Sequence, residues 1–150
     1  MPASAAELVA LLELEQLDPN LFRGRQPDTD RQRVFGGQVA AQALIAALHT
    51  VDPAYAVHSL HSYFLRPGDP SIPIVYQVER SRDGKSFTTR RVTAIQHGQP
   101  IFNLSASFQR PEEGIEHQLE MPAAPDPETL LSFRQRVERR IEQQQQRRVQ

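Results

Sequence analysis

Apolar positions along this chain change texture three times. Near the N-terminus Leu8, Leu11, Leu12 and Leu14 recur at helical spacing behind Ser4-Ala5-Ala6-Glu7. That opening fits a capping box, with Ser4 as N-cap and Glu7 reaching back from the third helical position. The pattern predicts an amphipathic helix over 4–17 that ends before Asp18-Pro19. Residues 21–26 read as a short strand, and 27–33, polar and punctuated by Asp28 and Asp30, as a loop. After Val34-Phe35-Gly36-Gly37 comes the most apolar helix, 38–51. Val39, Ala40, Ala43, Leu44, Ala47, Leu48 and Val51 define one face, while Ala41, Ile45 and Ala46 make the other apolar too. Only Gln38, Gln42 and His49 interrupt it. A helix apolar nearly all round is buried on most sides, and Asp52-Pro53 stops it.

From Ala56 the period becomes two. Strands are expected over 57–65, 72–80, 86–96 and 101–109, with Ile72, Ile74, Tyr76 and Val78 on one face of the second and Phe102, Leu104, Ala106 and Phe108 on one face of the last. Turn clusters separate them: Arg66-Pro67-Gly68-Asp69, Arg82-Asp83-Gly84-Lys85 and His97-Gly98. Asp-Gly is a hairpin signal because the turn requires a positive φ that glycine supplies. Beyond Pro111 the chain turns polar and proline-rich. The division expected is a domain over 1–111, an extended linker over 112–125 and a polar, helical tail over 126–150. In that tail Asp126 sits near the cap, Pro127 in the first turn, and Leu130, Phe133, Val137 and Ile141 form one narrow stripe. A long buried helix followed by a meander of strands is most economically an α+β fold, a central helix wrapped by a curved antiparallel sheet, which is the hotdog architecture.

Composition narrows the chemistry. The chain has 150 residues, no cysteine and a formal net charge of -1. One domain with a real core fits that length. No disulfide framework, Cys-ligated zinc site or thiol nucleophile is available, and near-neutral charge gives no reason to expect nucleic acid as a partner. The five histidines are scattered without a spaced set of metal ligands. No G-x-S-x-G elbow and no glycine-rich phosphate loop occur. The longest apolar run, 43–48, is far short of the roughly 20 residues that span a bilayer. No Lys or Arg precedes Arg23, the opposite of a secretory signal. A soluble, cytoplasmic protein without cofactor or metal is therefore expected.

Several longer motifs carry a resemblance. Val34-Phe35-Gly36-Gly37-Gln38-Val39, His58-Ser59-Leu60-His61-Ser62-Tyr63-Phe64-Leu65-Arg66-Pro67-Gly68-Asp69, and Arg82-Asp83-Gly84-Lys85-Ser86-Phe87 followed by Arg90-Arg91-Val92 resemble the acyl-CoA thioesterase II family. Leu21-Phe22-Arg23-Gly24, Ala106-Ser107-Phe108-Gln109, Glu116-His117-Gln118 and Met121-Pro122 extend the likeness from about Leu12 to about Pro125. The resemblance implies hydrolysis of fatty acyl-CoA by direct attack of water. It also implies that this chain is similar to the first of two tandem hotdog units. The family's Asp, Ser/Thr and Gln set, which activates the water, belongs to the second unit, and no position here matches it.

Thioester hydrolysis needs donors for the carbonyl oxygen and an activated water. Gly36, Gly37 and Gln38, at the start of a buried helix, suit the first need, because N-terminal N–H groups are unpaired and the dipole favours developing negative charge. The same glycines also serve tight helix–sheet contact, and both readings stay open. The helix over 38–51 holds no Asp or Glu, so His58 is the local candidate base. Simple alternation puts it with Leu60, Ser62 and Phe64, and His61 with Ser59 and Tyr63. Either histidine is equally readable as an ordinary hydrogen-bonded strand residue. Asp69 and Asp83 read as turn formers. Arg66, and Arg90 or Arg91 on opposite faces of one strand, are candidates for a CoA phosphate; the competing reading for the strand pair is a solvated or salt-bridged sheet surface. The expected partners are acyl-CoA and either a second copy, as a homodimer, or a second hotdog unit. The alternative function is a non-catalytic acyl-CoA-binding or dimerisation half, and a third reading is a fragment with no independent role.

Overall fold

Ser4 caps the first helix: its Oγ accepts from the Glu7 N–H at 3.2 Å, and α1 runs over Ala5–Leu12. The computed structural model describes residues 4–27, 29 and 31–149; Asp28 and Asp30 of the expected loop lie outside the described residues. The helix is shorter than the 4–17 expected. Glu13 is already extended, and β1 (Glu15–Asp18) folds back antiparallel on β2 (Leu21–Gly24) across Pro19-Asn20. Leucine spacing favours helix here, yet propensity is a weak preference that sheet pairing overrides. Glu15 faces Arg23 in the ladder, and their side chains pair at 2.6 Å.

The long helix is α2 (Gly36–Leu48), starting two residues earlier and ending three earlier than expected. Ala43, Ala46 and Ala47 are wholly buried, and their small side chains bring the helix backbone close to the sheet. It packs on β4 (Ile74–Asp83), β5 (Phe87–Gln96) and β6 (Gln99–Gln109). The far side of the helix, with Ala41, Leu44, Ile45 and Leu48, is only half-buried within this chain.

Six strands form one antiparallel sheet in the order β1-β2-β4-β5-β6-β3, with β3 (Ala56–Phe64) at the edge. Period-two alternation sorts the inner strands as expected. Ile74, Tyr76 and Val78, then Val92 and Ala94, then Phe102, Leu104, Ala106 and Phe108 all point at α2 and form the core. The tight hairpin lies between β5 and β6, where His97 (φ 49°) and Gly98 (φ 70°) both take the left-handed conformation that a two-residue turn requires. Asp83-Gly84 is different. Asp83 ends β4, residues 84–86 make the connection, and Gly84 does not adopt a positive φ.

Arg90 departs furthest from its expected role. It lies on the inner face of β5 and is 1% exposed. Its Nε donates to Thr50 Oγ1 at 2.8 Å. Nη1 donates to the carbonyls of Arg82 and Thr89, and Nη2 to the Thr50 carbonyl at 2.8 Å and the Asp83 carboxylate at 2.6 Å. All five N–H donors are spent inside the fold, so none is left for a phosphate. Arg90 instead ties the end of α2 to the β4–β5 hairpin, and Asp83 is its counter-ion.

The contacts divide the chain into two compact units, meeting at Glu113/Gly114. In the second, the helix expected in the tail over 126–150 is broken. Asp126 Oδ1 caps a short 3-10 turn, Pro127–Thr129, and α3 (Phe133–Val149) starts afresh behind Ser132. Ser132 Oγ accepts from the Gln135 N–H while Gln135 Oε1 accepts from the Ser132 N–H, a reciprocal capping box. Leu130, Phe133, Val137 and Ile141 are all exposed.

Arg90→Met keeps roughly the side-chain size but leaves the buried Thr50 carbonyl and the part-buried Arg82 and Thr89 carbonyls without their donor. It is expected to lower stability by about 2–4 kcal/mol, read as a drop in thermal midpoint by circular dichroism, whereas Arg91→Met on the outer face moves it little.

Candidate functional site

A polar ladder climbs from the core to the first turn of α2. Gln42, fully buried, donates through Nε2 to the carbonyls of Leu11 (2.7 Å) and Arg25 (3.1 Å). Its Oε1 accepts from the Tyr76 hydroxyl at 2.8 Å. Burial pushes that hydroxyl well above its ordinary pKa, so it remains a donor. Gly24 makes room: a Cβ there would stand 2.5 Å from Gln42 Oε1 and 2.9 Å from the Tyr76 ring. One turn earlier on α2, Gln38 Nε2 donates to the Arg25 carbonyl (3.3 Å) and to Gln26 Oε1 (2.9 Å).

Beside this ladder lies an apolar pocket of about 320 Å³. Leu8, Leu11 and Leu12 of α1 line it together with Val34, Phe35, and Gly37, Gln38 and Ala41 of α2. Arg31 and Arg33 also line it. A second cleft, about 400 Å³, runs from the other side of the same helix turn between Gly36, Val39, Phe64 and Arg66. Arg33 and Val34 border both. The N–H groups of Gly36 and Gly37 have no acceptor among the described residues, whereas the Gln38 N–H turns back to the Phe35 carbonyl at 3.0 Å. Two free backbone donors therefore sit where an apolar pocket meets an arginine-bordered cleft. Such a junction suits a ligand with an apolar chain, a polarisable carbonyl and an anionic end. In the turn that follows Gly68, Asp69 accepts from both the hydroxyl and the N–H of Ser71, and these bonds hold its pKa down to about 2.

The sequence-derived candidates divide. Gly36, Gly37, Gln38 and Arg66 come together around the first turn of α2. Arg66 anchors one nitrogen on the Pro100 carbonyl at 2.6 Å and is otherwise exposed. Arg90 does not join them. Neither does His58, for a reason that simple alternation misses. The β3–β6 register slips between Val57 and Ser59, a bulge in which His58 is the extra residue. Its Nε2 lies 2.8 Å from Ser107 Oγ and its ring meets Phe87 edge-on. Ser107 alternates with the core residues Ala106 and Phe108, so His58 is on the outer face of the sheet, away from α2. Phe64, whose ring packs against Gly36, is six residues further along the strand, about 20 Å away. Gln26, Arg33 and Gln42 were not singled out by the sequence. Gln42 carried a signal, as one of three polar residues that interrupt an apolar helix; Gln26 and Arg33 lie in a stretch without periodicity.

A long helix packed on one antiparallel sheet, the hotdog fold, defines the class. The pattern of the acyl-CoA thioesterase N-terminal domain matches residues 25–109, and the chain belongs to that family. It is similar to human acyl-coenzyme A thioesterase 8, with 51% identity over 125 residues that make up 83% of this chain and 39% of the relative. Among solved structures it is similar to an acyl-CoA thioesterase II from Mycobacterium marinum: 56% identity, TM-score 0.74, 83% of this chain and 47% of that one. A hot dog fold protein from Alicyclobacillus acidocaldarius is similar at 25% identity, with a TM-score of 0.67 over 82% of this chain and 47% of the other. The chain thus spans about 39% of the length of its human relative. Among the described residues no helix is long and apolar enough to cross a membrane.

Tyr76→Phe strips Gln42 Oε1 of its donor inside the core. A loss of about 1–3 kcal/mol is expected in urea unfolding, because the hydroxyl is removed without replacing its buried partner.

Proposed function

We propose that this chain is the acyl-binding, N-terminal hotdog half of a thioesterase that hydrolyses fatty acyl-CoA to fatty acid and CoA. The observation that carries this reading is the apolar pocket lined in part by Gly37 and Gln38, in a chain that belongs to this family. In this reading the acyl chain fills the pocket behind α1. The thioester carbonyl lies against the free N–H groups of Gly36 and Gly37, which stabilise the oxyanion as water attacks. The CoA portion leaves toward the second cleft, with Arg33 and Arg66 near its phosphates.

The water-activating groups come from a second hotdog unit, since α2 has neither Asp nor Glu. That unit pairs on β3, an edge strand of nine residues that leaves Leu60, Tyr63 and Phe64 exposed. Long apolar edges are normally paired or covered. A second copy of this chain fits the same edge, which gives the second reading, a homodimeric acyl-CoA-binding half without turnover of its own. Monodisperse monomers in sedimentation would count against both forms of pairing.

Calorimetric titration of the chain with CoA and a series of saturated acyl-CoAs tests the binding claim. Each added CH₂ is expected to tighten binding by about fourfold until the pocket is full. Acyl-CoA binding no tighter than CoA would overturn it. Because the chain has no cysteine, a thiol-reactive dye then reads released CoA without background. Turnover by the chain that survives His58→Ala removes His58 from consideration as the base.

A further inference from the structure

We infer that Ala41 limits the length of acyl chain that the apolar pocket accepts, and that the pocket is built for medium chains of about ten carbons. The inference rests on the acyl-site reading above and adds to it the substrate range and the residue that fixes it. The pocket measures about 320 Å³. A methylene takes up roughly the 30 Å³ that a water molecule occupies in the liquid, so about ten fill it.

The alanines of α2 are of two kinds. Ala43, Ala46 and Ala47 are wholly buried, and their small size lets the helix backbone approach the sheet. Ala41 stands about 200° around the helix from Ala43. It is half-buried and lines the pocket together with the leucines of α1. Sheet contact therefore does not require a small side chain at this position. A helical side chain leans toward the N-terminus and covers the turn before its own Cα. A larger residue in place of Ala41 is thus laid over Gly37 and Gln38, which line the same pocket. Nor can α1 simply retreat to restore the space. Leu11 is buried, and its carbonyl accepts at 2.7 Å from Nε2 of the fully buried Gln42, the residue next to Ala41. Withdrawing α1 would leave that N–H without its acceptor, a costly state in a core. The spacing of α1 and α2 is pinned here, so the volume open to a ligand depends on the side chains that face it. Ala41 is the smallest of these on α2 that carries a Cβ. Leu8, on the α1 side, is 47% exposed and can be trimmed without opening the core.

The test is calorimetric titration of the 150-residue chain with a series of S-alkyl thioethers of CoA, from butyl to hexadecyl, which have no thioester to hydrolyse. In the unmodified chain each methylene is expected to tighten binding about fourfold, up to a plateau at about ten carbons. Ala41→Val and Ala41→Leu enlarge the wall and should bring that plateau forward by about two and about three carbons, with the butyl thioether binding as before. Leu8→Ala should postpone it by about three carbons. Val9→Ala, on the same helix but outside the pocket lining, should leave it in place. Leucine is a strong helix former, and circular dichroism checks that each variant is folded; should Ala41→Leu fail that check, Ala41→Val reads the same plateau. A plateau that stays put in the folded Ala41 variants, or a loss spread equally over all chain lengths, overturns the role of Ala41. Affinity that still rises at hexadecyl overturns the medium-chain range. Affinity that does not rise with chain length at all in the unmodified chain overturns instead the acyl-site reading on which the inference rests.

Discussion

A carboxamide buried in an apolar helix–sheet interface must satisfy both of its ends, and Gln42 does so in one way. Two carbonyls that only accept claim its nitrogen, and a hydroxyl that burial keeps protonated claims its oxygen. Those three bonds join α1, the segment after β2, and β4 to the middle of α2. They hold the Arg25 carbonyl where Gln38 can reach it one turn earlier. Gln38 and Gln42 thus share the Arg25 carbonyl, and Gln38 carries the network to the edge of the pocket at the helix N-terminus. Gly24 is the steric condition for it, since a side chain there would occupy the space of Gln42 and Tyr76.

The two ends of α2 then differ in kind. At its C-terminal end the Thr50 hydroxyl donates to the Ala47 carbonyl, and Arg90 spends its donors on Thr50, Asp83 and the carbonyls of Arg82 and Thr89, a saturated knot that leaves nothing for a ligand. At its N-terminal end the Gly36 and Gly37 N–H groups have no acceptor among the described residues. The contrast is why the proposed site lies at the first turn of α2. The outer face of the sheet around His58 is a separate surface, continuous with the exposed edge strand β3, and belongs with pairing more naturally than with the pocket.

Much of the fold was legible because period-two alternation is local. The inward positions of β4, β5 and β6 follow from which residues are apolar, and so does the identity of the buried helix. Where a long-range partner decides, local pattern fails. The leucines before Asp18 read as helix, but Glu15 and Arg23 meet across a hairpin. Alternation assigned His58 to the face of Leu60, and one inserted bulge residue reverses that, leaving no trace in hydropathy. Arg90 shares the parity of Val92 and Ala94, so its inward direction was available from the sequence; its saturation by Thr50 and Asp83 was not. At the site, the glycine pair stood out as a motif. Gln26 did not, because it lies in a stretch without periodicity.

The central claim is that ligand recognition sits at the first turn of α2 and not on the sheet face of His58. Titrating ¹⁵N-labelled chain with a medium-chain acyl-CoA and following backbone and side-chain amide resonances tests it directly. The account predicts the largest shifts at the Gly36 and Gly37 amides and the Gln26 and Gln38 side-chain NH₂ groups, with the β3 bulge unmoved. Shifts centred on His58, Ser107 and Phe87 with the α2 turn unaffected would contradict it.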